Sequence, residues 1–159
     1  MKVGIIFGSR SDQDVMKKAH DMLKELDIPS ESYVLSAHRV PEQLHETIAR
    51  LEAEGTEVFI AGAGLAAHLP GVIASMTQKP VIGVPLKGAL EGLDALLSIV
   101  QIPKQIPVAT VGINNAANAG MLAAQILGIK YPQVAENLKS YRRTMKENFL
   151  KENNGKVEF

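Results

Sequence analysis

The sequence predicts an α/β fold: a three-layer, doubly wound sheet of five parallel strands in the order 2-1-3-4-5. Three observations lead there. Short runs that are apolar on both faces recur along the chain, as strands covered on both sides require. Helical patterns separate these runs, and strict alternation of this kind builds parallel sheets. The segments leaving the first three runs are the ones richest in Gly, Ser, His and Arg. In the commonest small doubly wound sheet those three exits meet at one crevice, beside strand one.

Val3-Gly4-Ile5-Ile6-Phe7 reads as the first buried strand, and Gly8 to Asp12 as a turn. Val15, Met16, Ala19, Met22, Leu23 and Leu26 mark one buried helix face, capped by Asp12 or Ser11 and ended by Ile28-Pro29. Tyr33-Val34-Leu35 is the second strand. The loop Ser36 to Pro41 follows, with Pro41 opening a helix whose first turn tolerates it. Leu44, Ile48 and Leu51 stripe that helix, and Gly55 stops it. Val58 to Ala61 is the third strand. The loop from Gly62 leads to a short apolar helix ending near Met76. Val81 to Val84 is the fourth strand, closed by Pro85. A loop from Leu86 to Glu91 and a helix over Leu93–Val100, capped by Asp94, come next. Beyond the Pro103–Pro107 loop, Val108 to Val111 is the fifth strand. Ala116 to Leu127 is a helix apolar nearly all round, which must be covered on several sides. With few elements left to cover it, burial in an oligomer is expected. Pro132 opens a last helix with Val134, Leu138, Tyr141 and Met145 on one face, and a frayed tail is expected over residues 151–159.

The 159 residues suit one domain, 1–159, with no visible linker or repeat. Lys+Arg and Asp+Glu number 17 each, so the net charge is zero. That removes the case for broad binding to nucleic acid or an anionic membrane. Aromatics make up 4% and Trp is absent, which argues against a base-stacking platform. With no Cys there is no disulfide framework, thiolate nucleophile or Cys-based metal site, in keeping with a reducing cytoplasm. Met1-Lys2 run straight into a strand pattern, so no secretory leader is expected. No apolar run approaches the roughly 20 residues of a membrane span.

The chemistry concentrates in three exits. Gly8-Ser9-Arg10-Ser11-Asp12 sets hydroxyls and N–H groups at a helix start, either a phosphate cradle or plain capping. Ser36-Ala37-His38-Arg39 offers a hydroxyl, an imidazole that titrates near neutrality and a guanidinium that grips oxyanions. Gly62-x-Gly64-x-x-Ala67 resembles a dinucleotide fingerprint but follows the wrong strand. The acid expected about 20 residues on is also missing, so NAD is rejected. His38 and His68 are the proton-transfer candidates, whereas His20 and His45 lie within helices. No His–carboxylate spacing makes a metal site.

Four stretches together resemble the PurE family in its class I, mutase form: Gly8-Ser9-x-Ser11-Asp12; Ser36-Ala37-His38-Arg39-x-Pro41; Gly62-Ala63-Gly64-x-Ala66-Ala67-His68-Leu69-Pro70-Gly71; and Leu93-Asp94-x-Leu96-Leu97-Ser98-Ile99-Val100-Gln101. The match runs from about Val3 to Tyr131 in order and spacing. The resemblance implies conversion of N5-carboxyaminoimidazole ribonucleotide to 4-carboxy-5-aminoimidazole ribonucleotide in purine biosynthesis, with no ATP, metal or organic cofactor. It implies cytoplasmic homo-octamers of flavodoxin-like subunits, the last helix reaching a neighbour. On matching positions, Ser9 and Arg39 would hold the 5′-phosphate and Asp12 the ribose hydroxyls. Ser11 and Ser36 would line the same pocket. His38 would transfer protons, and Gly64, Ala66, His68 and Leu69 would close over base and carboxylate. Leu65 stands where the family usually has Gly, Val40 where Thr is common, and Lys104-Gln105 replaces a usual Gly-Gly. The alternatives are a class II carboxylase acting on aminoimidazole ribonucleotide and carbon dioxide, and a non-catalytic nucleotide-binding module.

Overall fold

β1 (Val3–Phe7) is buried at every position and lies between two parallel neighbours, β2 (Ser30–Val34) and β3 (Val58–Gly64). The computed structural model describes residues 1–153, 155 and 157. β4 (Val81–Leu86) and β5 (Ala109–Thr110) complete a five-stranded parallel sheet in the order 2-1-3-4-5, as expected. The helices are α1 (Gln13–Glu25), α2 (Pro41–Ala53), α3 (His68–Met76), α4 (Leu93–Val100), α5 (Ala116–Gly128) and α6 (Pro132–Glu152). One face of the sheet packs on α1, α5 and α6 through Ile5, Met16, Leu23, Ile60 and Ala123. The other packs on α2, α3 and α4 through Ile6, Leu44, Phe59, Ile73 and Ile99. Period-two alternation along β1 sends Ile5 and Ile6 to opposite cores.

Several element bounds differ from expectation for identifiable reasons. β2 starts at Ser30, ahead of the apolar run, because an edge strand needs only one paired side and tolerates the polar sequence Ser-Glu-Ser. β3 continues through Gly62-Ala63-Gly64, which pair with Val84, Pro85 and Leu86. Pro85 is tolerated because β5 pairs only with Ile82 and Gly83, leaving Pro85 a ladder on one side. Asp94 does not cap α4; Gly92 does, at φ 88°, and Asp94 sits in the first turn with Oδ1 buried and unpartnered. A single 3-10 turn, Arg10–Asp12, precedes α1, so Ser9 rather than Asp12 or Ser11 has the extended backbone that a cap needs.

Much of the cover that α5 needs comes from within the chain, and Met121, Leu122 and Ile126 stay half-buried. α1, α6 and the sheet cover it: Ala116, Ala119, Gly120, Ala123, Ala124 and Leu127 are all buried within the chain. Gly120 makes this possible, for a Cβ there would lie 2.9 Å from the Ala19 carbonyl oxygen. Small residues let α1 and α5 cross close enough to seal each other. Of the tail expected to fray over 151–159, α6 holds Lys151 and Glu152 in helix; residues 154, 156, 158 and 159 lie outside the described residues. No helix among the described residues is long and apolar enough to cross a membrane.

At the amino edge of the sheet, Lys2 Nζ donates to Glu31 (2.8 Å) and Glu54 (2.9 Å). Arg50 adds bonds to Glu54 (2.8 Å) and to the Tyr33 hydroxyl (3.0 Å). This network ties β1, β2 and α2 together. Paired in this way, Glu31 and Glu54 are both held below the usual carboxylate range, chiefly by the Lys2 hydrogen bonds.

Gly62 places β3 against α1: a Cβ there would meet Met16 Sδ at 2.4 Å. Gly62→Ala is expected to destabilise the protein by about 1–3 kcal/mol through overpacking. Gly8→Ala, with nothing within 4 Å of the added carbon, should stay within about 0.5 kcal/mol. Urea unfolding of the two variants measures the contrast.

Candidate active site

Parallel register brings the strand ends together. Phe7 pairs with Val34 on one side and Gly62 on the other, and Gly62 pairs with Val84; β3 and β4 run two residues further, to Gly64 and Leu86. Four neighbouring exits therefore open into a cleft of about 510 Å³. All ten candidates from the sequence line it: Ser9, Ser11, Asp12, Ser36, His38, Arg39, Gly64, Ala66, His68 and Leu69. A groove of about 560 Å³ beside α6 and another of about 980 Å³ at the far end of β4 have no imidazole or guanidinium in their walls.

At the β1 exit, Ser9 is extended (φ −151°, ψ 150°), and its Oγ accepts from the Ser11 hydroxyl at 2.9 Å. The Asp12 N–H donates to the Ser9 carbonyl at 3.1 Å, while its carboxylate caps nothing in α1. Partial burial pushes the Asp12 carboxyl above its ordinary value, against the lowering pull of hydrogen bonds from Ser11 and the Ser9 backbone. A carboxylate kept uncapped and partly desolvated is suited to accepting hydrogen bonds from a ligand's hydroxyls.

The β2 exit folds as a turn: Val40 N–H donates to Ser36 O (3.0 Å) and Arg39 N–H to Ser36 Oγ (3.3 Å). Arg39 then reaches back across the sheet edge, its Nη2 donating to the Gly8 carbonyl at 3.0 Å. That one bond spans the β1 and β2 exits and leaves the remaining guanidinium donors for an anion.

The β3 exit is strained. Leu65 (φ 55°) and Ala67 (φ 40°) both take left-handed backbone, closed by Ala67 N–H to Gly64 O at 3.0 Å. Left-handed backbone at a non-glycine residue costs roughly 1–2 kcal/mol. The turn starts α3 at His68 and aims that ring at the β2 exit. His38 Nε2 lies 2.6 Å from His68 Nδ1, with the rings at 82° and their centres 4.7 Å apart. Both His side chains are exposed to the cleft. A bond between two imidazole nitrogens needs one proton on one of them, so each ring fixes the other's tautomer.

Reading from sequence missed the fourth exit. Leu86, Lys87 and Gly88 line the same cleft. The signal was there, since the 2-1-3-4-5 order puts the end of β4 beside that of β3, and a cation stands one residue past the strand. Asn114 (φ 56°) anchors this exit: its Oδ1 accepts from Lys87 N–H (2.9 Å) and its N–H donates to Pro85 O (2.8 Å). Among the described residues no group of three or more His, Asp or Glu is placed to hold a metal ion.

A family model described as AIR carboxylase matches residues 2–148 of this sequence. The chain belongs to the AIR carboxylase family. It is 60% identical to the N5-carboxyaminoimidazole ribonucleotide mutase of Pyrococcus abyssi over 91% of this chain and 84% of that protein. To the mutase of Thermotoga maritima it is 57% identical over 94% of this chain and 88% of the relative. The crystal structure of Treponema denticola PurE has the same fold, with a TM-score of 0.89 at 25% identity over 99% of both chains. The PurE resemblance read from four sequence stretches thus holds for family and fold.

Because burial raises the Asp12 carboxyl, ionising it costs stability in the empty protein. That cost is absent below the ordinary Asp value of about 3.9 and complete once pH exceeds the higher folded value. Asp12→Asn should therefore stabilise the ligand-free protein at pH 7 by about 0.2–1 kcal/mol, the scale for a partly screened charge. The gain should vanish by about pH 3, below that ordinary value. Denaturant melts at the two pH values provide the check.

Proposed function

We propose that this protein is an N5-carboxyaminoimidazole ribonucleotide mutase, moving a carboxylate from the exocyclic nitrogen of an imidazole ribonucleotide to C4 in purine biosynthesis. The observation that carries the reading is the His38–His68 contact, set in one cleft with the Ser9, Asp12 and Arg39 cradle. High identity to relatives named as this mutase supports it.

Ser9 and the free donors of Arg39 hold the 5′-phosphate, Ser11 lines the pocket beside them, and Asp12 accepts from the ribose hydroxyls. Ser36 lines the pocket beneath them. The heterocycle then lies over the β3 exit, beside His38. The carbamate N–C bond breaks, its electrons return to nitrogen, and a proton from the imidazole pair neutralises that nitrogen. Carbon dioxide stays between the heterocycle and the loop of Gly64, Ala66, His68 and Leu69. The enamine-like C4 attacks it, giving a tetrahedral C4 that bears both a hydrogen and the new carboxylate. His38 removes the C4 proton and aromaticity returns. One proton leaves the imidazole pair and one comes back, so the cycle is proton-neutral and asks for no external acid. Retaining carbon dioxide in register replaces a dilute bimolecular step by a local one.

The same proposal takes the whole chain as one catalytic domain that works in the cytoplasm as a homo-octamer. Exposed apolar side chains at Met145, Phe149 and Leu150 of α6, and at Leu93, Leu97 and Val100 of α4, are the surfaces such an assembly would cover. Light scattering coupled to size exclusion measures that assembly.

His38→Asn keeps a hydrogen-bonding side chain but removes the titrating base. Its turnover should fall by at least about 100-fold, the lower range for a lost general acid–base. Steady-state assays with the carbamate nucleotide decide this, and turnover within a few-fold of wild type excludes the role. Supplying aminoimidazole ribonucleotide and carbon dioxide instead, again without ATP, tests the carboxylase alternative, which predicts the faster rate with that pair.

A further inference from the structure

The β4 exit adds a cation to this cleft that the scheme above does not use. Lys87 lines the cleft with Leu86 and Gly88, leaving β4, while Arg39 leaves β2 on the far side of β1 and β3. The strand order puts the phosphate cradle over β1 and Lys87 over β4, two strands away, while the imidazole pair bridges the β2 and β3 exits. At about 4.8 Å per strand, Lys87 stands roughly 10 Å from the cradle. A ribonucleotide with its phosphate over β1 lays its ring over β3 and its outermost ring substituent toward β4. In the product of the proposed reaction that substituent is a carboxylate.

Lys87 is paired with Glu91. Both partners are largely in solvent, at 52% and 80% side-chain exposure. Such a pair contributes little, so exchanging Glu91 for a ligand carboxylate costs little. The main chain at Lys87 does not need to move, because Asn114 holds its N–H. Glu91 lies in a run of three left-handed residues, Leu90 (φ 44°), Glu91 (φ 57°) and Gly92 (φ 88°), which folds the loop back so that its carboxylate reaches Lys87. Gly88 meanwhile lies against Leu65, since a Cβ there would be 3.4 Å from Leu65 Cδ2. The β3 and β4 exits therefore touch, which brings the backbone next to Lys87 against the loop that covers the heterocycle.

We propose that Lys87 is the recognition group for the ring carboxylate, held by Glu91 when the cleft is empty and transferred to the nucleotide when it fills. The inference rests on the mutase reading and adds to it a determinant that separates carboxylated from uncarboxylated nucleotides. Lys87 binds and orients; no proton passes through it.

Calorimetric titration with two ligands tests this: 4-carboxy-5-aminoimidazole ribonucleotide and the same nucleotide lacking the carboxylate. For Lys87→Met, affinity for the carboxylated ligand should fall about tenfold, the scale of one charge-assisted contact, with less than a twofold change for the other. Lys87→Arg should keep most of the preference. Glu91→Gln should bind the carboxylated ligand about threefold more tightly, since the competing carboxylate is gone. Equal losses for both ligands in Lys87→Met, or no loss for either, overturn the proposal. A thermal melt of each variant identifies misfolding; should Lys87→Met misfold, Glu91→Gln decides, and an unchanged affinity for the carboxylated ligand there overturns the proposal. Wild-type protein that binds neither nucleotide overturns the mutase reading and this inference with it; wild-type binding with an unchanged Lys87→Met overturns only the inference.

Discussion

The row Val34–Phe7–Gly62–Val84 is the constraint on which the site depends. Parallel pairing brings these four residues level; β1 and β2 end there, and β3 and β4 run two residues further, to Gly64 and Leu86. Every functional candidate lies close in sequence beyond that row, within the reach of a short loop or the first turn of a helix. A slip of one residue in β1 would exchange its two faces, burying Ile5 where Ile6 belongs. It would also part the Arg39 guanidinium from the Gly8 carbonyl. Both hydrophobic cores thus hold the cleft in register, and Leu69 and Leu86 carry them up to its walls.

Around this line the chain uses backbone strain selectively. Left-handed non-glycine residues occur at Leu65 and Ala67 over the cleft, at Leu90 and Glu91 on its rim, and at Asn114 behind Lys87. Leu65 is also the position where the PurE pattern usually has Gly, and Gln105 (φ 76°) is another such departure. In both places the backbone keeps the glycine-like conformation and the side chain accepts it. The fold is therefore insensitive to those two substitutions at the level of path, and the difference appears as local strain. Such strain persists where surrounding contacts over-determine the conformation. The Ala67 to Gly64 bond and the His38–His68 contact supply that at the β3 exit.

Much of this was legible in the sequence, for physical reasons that can be named. The two-faced apolar runs of β1, β3 and β4 read as strands covered on both sides of a parallel sheet, and the commonest small doubly wound order then brings their exits together. His38 and Arg39 were legible because they leave a strand directly before Pro41 opens a helix. What escaped has equally plain causes. Gly62-Ala63-Gly64 looked like loop because small residues signal flexibility in isolation, whereas here a central strand needs room for Met16. The cover over α5 was underestimated because close helix crossing at Gly120 depends on tertiary packing and leaves no periodic trace. Lys87 was overlooked because a single lysine in a loop is unremarkable until strand order places it beside the imidazoles. The His38–His68 distance is a property of two loops from different strands, which no local pattern encodes.

The ionic lattice of Lys2, Glu31, Tyr33, Arg50 and Glu54 occupies the edge of the sheet opposite the cleft. The energetic penalty for stripping water from charges shrinks as temperature rises, so networks of this kind gain relative weight in hot surroundings. With resilience to heat placed at one rim and chemistry at the other, adaptation to a warmer or cooler habitat can proceed by altering the first without disturbing the second.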